Sequence, residues 1–222
     1  MNILYTLLPF SDISEEELAL KAKQVIPPNA PPRVIRHPLR RKAYLAGRAA
    51  IAILTEQMGL SAWVVADPEF GYLSLKSSGT QSIQAYVNIS HTDGIAAAAL
   101  SEFPVGIDIE LKSRDTHRVL HRISTEEERK EADPLILEEI PSGIALWSGK
   151  EAFSKALGLG IRFGLSDFRL YLSGTPPFRV ATSRQGIFSL ESPCIHYECY
   201  GSYVIALCSE RRAIEEGVRL TI

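Results

Sequence analysis

Ile95-Ala96-Ala97-Ala98-Ala99-Leu100-Ser101-Glu102 is ambiguous by itself, because alanine is the best helix former while the run is too short to make a stable helix. A second stretch resolves it. Tyr203-Val204-Ile205-Ala206-Leu207-Cys208-Ser209-Glu210 matches it position by position, YVIALCSE against IAAAALSE, and the β-branched Val204 and Ile205 make the second copy a strand. The alanine run is therefore expected to be a strand too. Roughly fifty residues upstream of each lies another matching pair, Tyr44-Leu45-Ala46-Gly47-Arg48-Ala49-Ala50-Ile51 and Leu146-Trp147-Ser148-Gly149-Lys150-Glu151-Ala152-Phe153, with Gly, a base and Ala in register. The expectation is an α+β fold of two pseudo-symmetric halves, each a long helix packed on a small antiparallel sheet. The boundary is expected at Phe103-Pro104, giving an N-terminal half of residues 1–103 and a C-terminal half of residues 104–222.

Local signals fill in the rest. Ser14 with Glu17 is a capping box that starts a helix running to about Val25, stopped by the prolines from Pro27 to Pro32. Apolar residues at helical spacing from Leu39 to Gln57 predict a long helix with Arg40, Arg41, Lys42 and Arg48 toward its front, ended by Gly59. Strands are expected near Trp63-Val64-Val65 and over Tyr86–Ile89. Ser124 with Glu127 reads as a second capping box, opening a charged helix whose default is a solvated face.

The chain has 222 residues, 45% hydrophobic and 23% charged, which is ordinary soluble usage and excludes disordered, collagen-like and small disulfide-scaffold classes. Its net charge of −2 argues against nucleic acid as a partner. Ile95–Leu100, a strictly apolar run that no other in the chain exceeds, is far below the roughly 20 residues a membrane crossing needs. The first basic residue is Lys21, so Met1–Phe10 lacks the positive region of a secretory signal, and a cytoplasmic location is expected. Cys194, Cys199 and Cys208 are expected to be reduced thiols, since no Cys-x-x-Cys pair occurs among them.

Three clusters could carry chemistry. In a strand over Val105–Glu110, Asp108 and Glu110 point to one side, roughly 7 Å apart, and Val105, Ile107 and Ile109 to the other. An exposed edge would tolerate such a pair, but two carboxylates beside apolar residues also suit Mg²⁺, which takes oxygen ligands and substrate phosphates. On a helix Trp147, Glu151 and Lys155 share a face with Lys150 at its margin. A surface Glu–Lys pair is the simplest reading, and Trp147 argues for partial burial, where both groups can shift in pKa. In Asn88-Ile89-Ser90-His91-Thr92-Asp93-Gly94 the hydroxyls could serve turn chemistry or, with His91, an anion.

Val87-Asn88-Ile89-Ser90-His91-Thr92, Val105-Gly106-Ile107-Asp108-Ile109-Glu110 and Trp147-Ser148-Gly149-Lys150-Glu151-Ala152-Phe153-Ser154-Lys155 resemble, in order and spacing, the three signature motifs of the Sfp-type 4′-phosphopantetheinyl transferases. The resemblance implies an enzyme that moves the 4′-phosphopantetheine arm of coenzyme A, its co-substrate, to a serine of an apo acyl or peptidyl carrier protein, releasing adenosine 3′,5′-bisphosphate. It implies an active site between the two halves. Asp108, Glu110 and Glu151 would hold Mg²⁺, or Mn²⁺ in its place. Ser90, His91, Lys150, Lys155, Arg41 and Arg48 would contact coenzyme A, and Glu151 and Lys155 would be the catalytic groups. A monomer is expected, since two halves can form the cleft alone.

The chain departs from the family pattern. Phe70-Gly71-Tyr72-Leu73 stands where relatives have Gly-Lys-Pro, leaving Lys76 as the substitute cation. Ser74–Gln84 suggests a longer loop over the nucleotide, and Arg122-Ile123-Ser124 replaces an aromatic before the charged helix. Two alternatives remain at this level. One is a metal-dependent phosphohydrolase acting on coenzyme A or a related nucleotide. The other is a non-catalytic relative that binds coenzyme A or a carrier, for which loss of an acid or of Lys155 would be the sign.

Overall fold

The computed structural model describes residues 3–30, 33–67, 72–77, 84–132, 139–159, 164–182 and 186–220. The first half runs β1 (Ile3–Pro9), α1 (Glu15–Ala22), α2 (Pro38–Gln57), β2 (Ala62–Ala66), β3 (Leu73–Ser77), β4 (Gln84–Thr92) and β5 (Ile95–Ser101). The second runs β6 (Gly106–Leu111), α3 (His117–Ile123), α4 (Glu126–Glu131), α5 (Ser142–Ala156), a 3₁₀ turn (Leu165–Asp167), β7 (Phe168–Tyr171), β8 (Phe178–Thr182), β9 (Pro193–Tyr200) and β10 (Tyr203–Glu210). After these come α6 (Arg211–Glu216) and β11 (Val218–Leu220).

The two sheets have the same strand order. One is β1-β5-β4-β3-β2 and the other β6-β10-β9-β8-β7, with β11 added to the first by parallel pairing with β1. In each, the opening strand pairs antiparallel with the closing one, β1 with β5 and β6 with β10, and the long helix leaves between the first and second strands. The fold is α+β, built on two small antiparallel sheets.

Alanine in β5 follows from burial on both faces. Ile95, Ala97 and Ala99 pack with Ile107, Ile109, Ile205 and Leu207 between the two sheets. Ala96 faces Ala43, Ala46 and Ala49 of α2, and Ala98 and Leu100 face Ala50, Ile51 and Leu54. Small side chains let helix and sheet close on the strand from both sides, so the alternation that marks a half-exposed strand is missing. On the far side α5 covers the second sheet, with Phe153 edge-on to Phe168 at 5.0 Å.

The matched glycines occupy equivalent places. A Cβ on Gly47 would sit 2.6 Å from Ile89 of β4, and one on Gly149 would sit 2.2 Å from the Tyr197 hydroxyl of β9. Each glycine thus lets its helix press on the fourth strand of its own sheet.

Some boundaries differ from the sequence expectation. The first helix ends at Ala22, short of Val25. The second capping box is Thr125 with Glu128, one residue beyond Ser124 and Glu127, because Ser124 instead caps the preceding helix and bonds back to the Leu120 carbonyl at 2.6 Å. Ser74–Ser77 belongs to β3 and pairs with both neighbours, so that part of the anticipated loop is strand. Residues 78–83, and Phe70 and Gly71, lie outside the described residues. Among the described residues no helix is long and apolar enough to cross a membrane.

Candidate active site

The second sheet's opening strand and the helix above it build the acidic part of the site. Gly106 permits their contact, since a Cβ there would stand 1.9 Å from the Ala152 carbonyl oxygen. Ile107 and Ile109 go to the core between the sheets, so Asp108 and Glu110 turn toward α5. On α5 a spacing of four residues puts Trp147, Glu151 and Lys155 on the same side, facing them. Asp108, Glu110 and Glu151 are 4%, 5% and 3% exposed, a burial that requires compensation for their charge.

That compensation is local. The Lys155 ammonium donates to Asp108 Oδ1 at 2.8 Å, to Ser90 Oγ at 3.1 Å and to the Ile107 carbonyl at 2.9 Å, and Ser90 Oγ itself donates to Asp108 Oδ1 at 2.8 Å. One lysine therefore joins all three motif stretches: β4, β6 and α5. Glu110 accepts from the Trp147 indole at 3.0 Å, from the Arg114 guanidinium, and from Thr92 Oγ1 over a long 3.5 Å. Arg114 also lies over the Trp147 ring at 5.0 Å.

The third carboxylate is less well served. Among the described residues, Asp108 Oδ2 and Glu151 Oε1 are buried with no hydrogen-bond partner. Burial, reinforced by the charges of Asp108 and Glu110 and opposed by Lys155 and Arg114, pushes Glu151 up to about 7. Two unpartnered carboxylate oxygens in an acidic cluster are a donor set that fits a hard cation such as Mg²⁺. Among the described residues no group of three or more His, Cys, Asp or Glu stands ready-made as a metal cage, and Lys155 and Arg114 here hold part of the acidic charge.

Lys155 also lines a cleft of about 960 Å³ whose other wall is α2 and the segment before it. Arg33, Arg36, Arg40 and Arg48 contribute to that wall, with Tyr44, and His91 and Asn88 of β4 to the floor. The Arg48 guanidinium lies 3.9 Å from the Tyr44 ring centre and Arg33 lies 5.2 Å from it. Burial lowers the Arg48 pKa, with Arg33 adding to the effect and Tyr44 opposing it. His91 pairs across the sheet with Ala96, on the α2 side, while Ser90 pairs with Ala97, on the opposite face. The protein around the His91 ring, and then Lys155, lower its pKa. The cleft is thus strongly cationic beside an acidic cluster, an arrangement suited to a polyphosphate held with a divalent cation.

The structure brings Asp108, Glu110, Glu151, Lys155 and Ser90 together and puts His91 and Arg48 in the adjoining cleft. It does not bring Arg41 or Lys150 there. Arg41 turns outward to Glu15, at 2.5 Å, and Arg40 takes the cleft-facing position one residue earlier on α2. Lys150 is 0% exposed, and its ammonium bonds to Glu128 at 2.8 Å and to the carbonyls of Ile123, Leu165 and Phe168. The charged run in α4 is accordingly not a wholly solvated face, because Glu128 is buried beneath it. Lys76 is exposed on β3 and is absent from the cleft wall. Arg33, Arg36 and Arg114 carry no motif that singles them out in the sequence, whereas Arg40 belongs to the basic front of the predicted helix. The Arg40–Arg41 pair marked basic helix, but only rotation about the axis decides which of the two faces inward.

Residues 104–208, the stretch that holds β6 through most of β10, match the model of the 4′-phosphopantetheinyl transferase superfamily. Over that stretch, a little under half of its length, the chain is similar to the superfamily. Three similar curated proteins carry the same description. The 4′-phosphopantetheinyl transferase psf-1 of Bacillus pumilus is 31% identical over 141 residues, 61% of this chain and 57% of that protein. The transferase Sfp of Bacillus subtilis (strain 168) is 27% identical over 148 residues, 61% of this chain and 60% of that protein. The transferase gsp of Aneurinibacillus migulanus is 27% identical over 128 residues, 56% and 51% of the two chains. The chain therefore matches between half and two thirds of the length of these relatives. Asp108, Glu110, Glu151 and Lys155 all lie within the superfamily stretch, whereas Ser90, His91 and the α2 arginines precede it.

Proposed function

We propose that this chain transfers the 4′-phosphopantetheine arm of coenzyme A to a serine of an apo acyl or peptidyl carrier protein and releases adenosine 3′,5′-bisphosphate. The observation that carries the reading is the Lys155 ammonium. It reaches Ser90, Ile107 and Asp108 at once and lines the arginine cleft, so the acidic cluster and the polyphosphate wall meet at one cation.

In this proposal Arg48, His91 and Ser90 bind phosphates of coenzyme A, and Lys155 moves from Asp108 to the diphosphate as that ligand enters. Asp108, Glu110 and Glu151 hold Mg²⁺, or Mn²⁺, as the two unpartnered carboxylate oxygens permit. Such an ion supplies Lewis-acid stabilisation of charge on the diphosphate oxygens. The serine oxygen forms its bond to the β-phosphorus as the bond to the bridging oxygen breaks. The serine proton passes to Glu151, and Lys155 balances the charge that builds on the leaving bisphosphate. Positioning and charge stabilisation carry most of the rate in such transfers. We further propose a division into residues 1–103 and 104–222, a monomeric state and a cytoplasmic location.

The phosphohydrolase reading shares the carboxylates and lysine but needs no acceptor protein. Coenzyme A and Mg²⁺ are incubated with the protein, with and without apo carrier, and bisphosphate is measured. Release that requires carrier supports the transferase, and equal release without it replaces transfer by hydrolysis.

A further inference from the structure

Lys150 sits within a motif whose neighbours, Glu151 and Lys155, face the site, yet its side chain is entirely enclosed. One step along a helix rotates by about 100°, so Lys150 leaves the α5 surface on a different side from Glu151. There it meets chain from four other places. Its ammonium bonds to the last residue of α3 through the Ile123 carbonyl at 2.5 Å, to the 3₁₀ turn through Leu165 at 3.3 Å, and to β7 through the Phe168 carbonyl. The fourth partner is Glu128 of α4, at 2.8 and 3.1 Å to its two oxygens.

Glu128 is equally committed. Its carboxylate accepts from the Leu170 amide of β7 at 2.9 Å and from the Thr125 amide at 2.8 Å, where it closes the α4 capping box. Every bonding direction of the ammonium is used, and neither side chain has a path to the cleft. A tetrahedral ammonium caged by fixed carbonyls cannot turn without losing several buried hydrogen bonds together, and that resists rotation of α5 about its own axis.

We infer that Lys150 and Glu128 form a positioning lock that fixes the rotation of α5, and with it the facing of Glu151 and Lys155 toward Asp108, and that Lys150 takes no part in holding the ligand. The role in transfer rests on the function proposed above; the lock itself does not. It assigns a task to a buried acid in a helix that otherwise reads as surface.

The test uses Lys150→Met, Glu128→Leu and the double variant, because removing one member strands a buried charge whereas removing both leaves an apolar pair. Thermal unfolding, coenzyme A affinity by calorimetry, and kcat and KM for transfer are measured on the full chain. Each single variant is expected to lower Tm by roughly 10 °C and the double variant to recover at least half of that. Below the unfolding range, the single variants are expected to lose at least tenfold in kcat while coenzyme A KM and affinity stay within about twofold of the parent. Should the single variants fail to fold, the double variant decides by the same affinity criterion. A folded Lys150→Met or double variant that binds coenzyme A at least tenfold more weakly, with Glu128→Leu unaffected, overturns the inference, as does a double variant no more stable than either single one. If the parent protein binds no coenzyme A, the proposed function fails, and the Tm cycle still decides the lock.

Discussion

The two long helices hold equivalent places in sheets of identical strand order, yet they treat the residue after their buried glycine in opposite ways. Arg48, after Gly47 on α2, reaches the cleft beside Tyr44 and Arg33. Lys150, after Gly149 on α5, is sealed inside its own half by α3, α4, the 3₁₀ turn and β7. The difference lies in the chain on either side of the long helix. In the second half it carries Ile123 and Glu128 down onto the lysine, and in the first it leaves the arginine open to a ligand. One scaffold used twice thus supplies a cationic wall from one half and an acidic cluster from the other, with Lys155 crossing between them.

The largest effect is expected where the halves meet. Asp108→Asn removes the charge that holds Lys155 and one of the unpartnered oxygens, so transfer should fall by about a thousandfold or more. Circular dichroism and thermal unfolding should remain close to those of the parent, and full activity in a folded variant would break the division of labour between the halves. A smaller effect is expected on α2. Arg48→Ala should raise coenzyme A KM about tenfold or more, the loss of charge-assisted hydrogen bonds, while Arg41→Ala, whose side chain is spent on Glu15, should leave it within twofold. Equal effects from the two arginines would show that the structure has chosen the wrong face of α2.

The third prediction concerns pH in the absence of divalent cations. A carboxyl raised to about 7, from its ordinary 4.5, favours the protonated form in the fold. Its stabilising contribution is complete below about pH 4.5 and is lost as pH rises through 7, so unfolding experiments should show a loss of at most about 3 kcal/mol across that window. Glu151→Gln should flatten that part of the profile; an unchanged slope would mean Glu151 is not the group responsible. The smallest effects belong to the two capping boxes. Ser14→Ala and Thr125→Ala should each cost about 1 kcal/mol in denaturant unfolding. A much greater loss at Thr125 than at Ser14 would show that the α4 cap is coupled to the Lys150 lock, since Glu128 serves both.

Much of this was legible in the sequence. The IAAAALSE–YVIALCSE match identified an alanine run as a strand against its helical propensity, and strand alternation set Asp108 and Glu110 apart from Ile107 and Ile109. Four-residue spacing put Glu151 and Lys155 on one face. What escaped depends on chain distant in sequence. Nothing local to Lys150 announces that Ile123, Leu165 and Phe168 will enclose it, and Glu128 looks like its solvated neighbours Glu126 and Glu127 until β7 and α5 are in place. The choice of Arg40 over Arg41 turns on about 100° of helix rotation, finer than an apolar pattern resolves when the surrounding residues are all basic.

The central claim is that the arginine cleft and the acidic cluster act together to move a phosphopantetheine arm. Intact-mass spectrometry of apo carrier proteins, incubated with this protein, coenzyme A and Mg²⁺, tests it most directly. The account predicts that a carrier gains the mass of one phosphopantetheinyl group on a serine, and that the gain disappears with Asp108→Asn. Across a panel of apo acyl and peptidyl carriers, unchanged masses under conditions where the protein is folded and binds coenzyme A would contradict it.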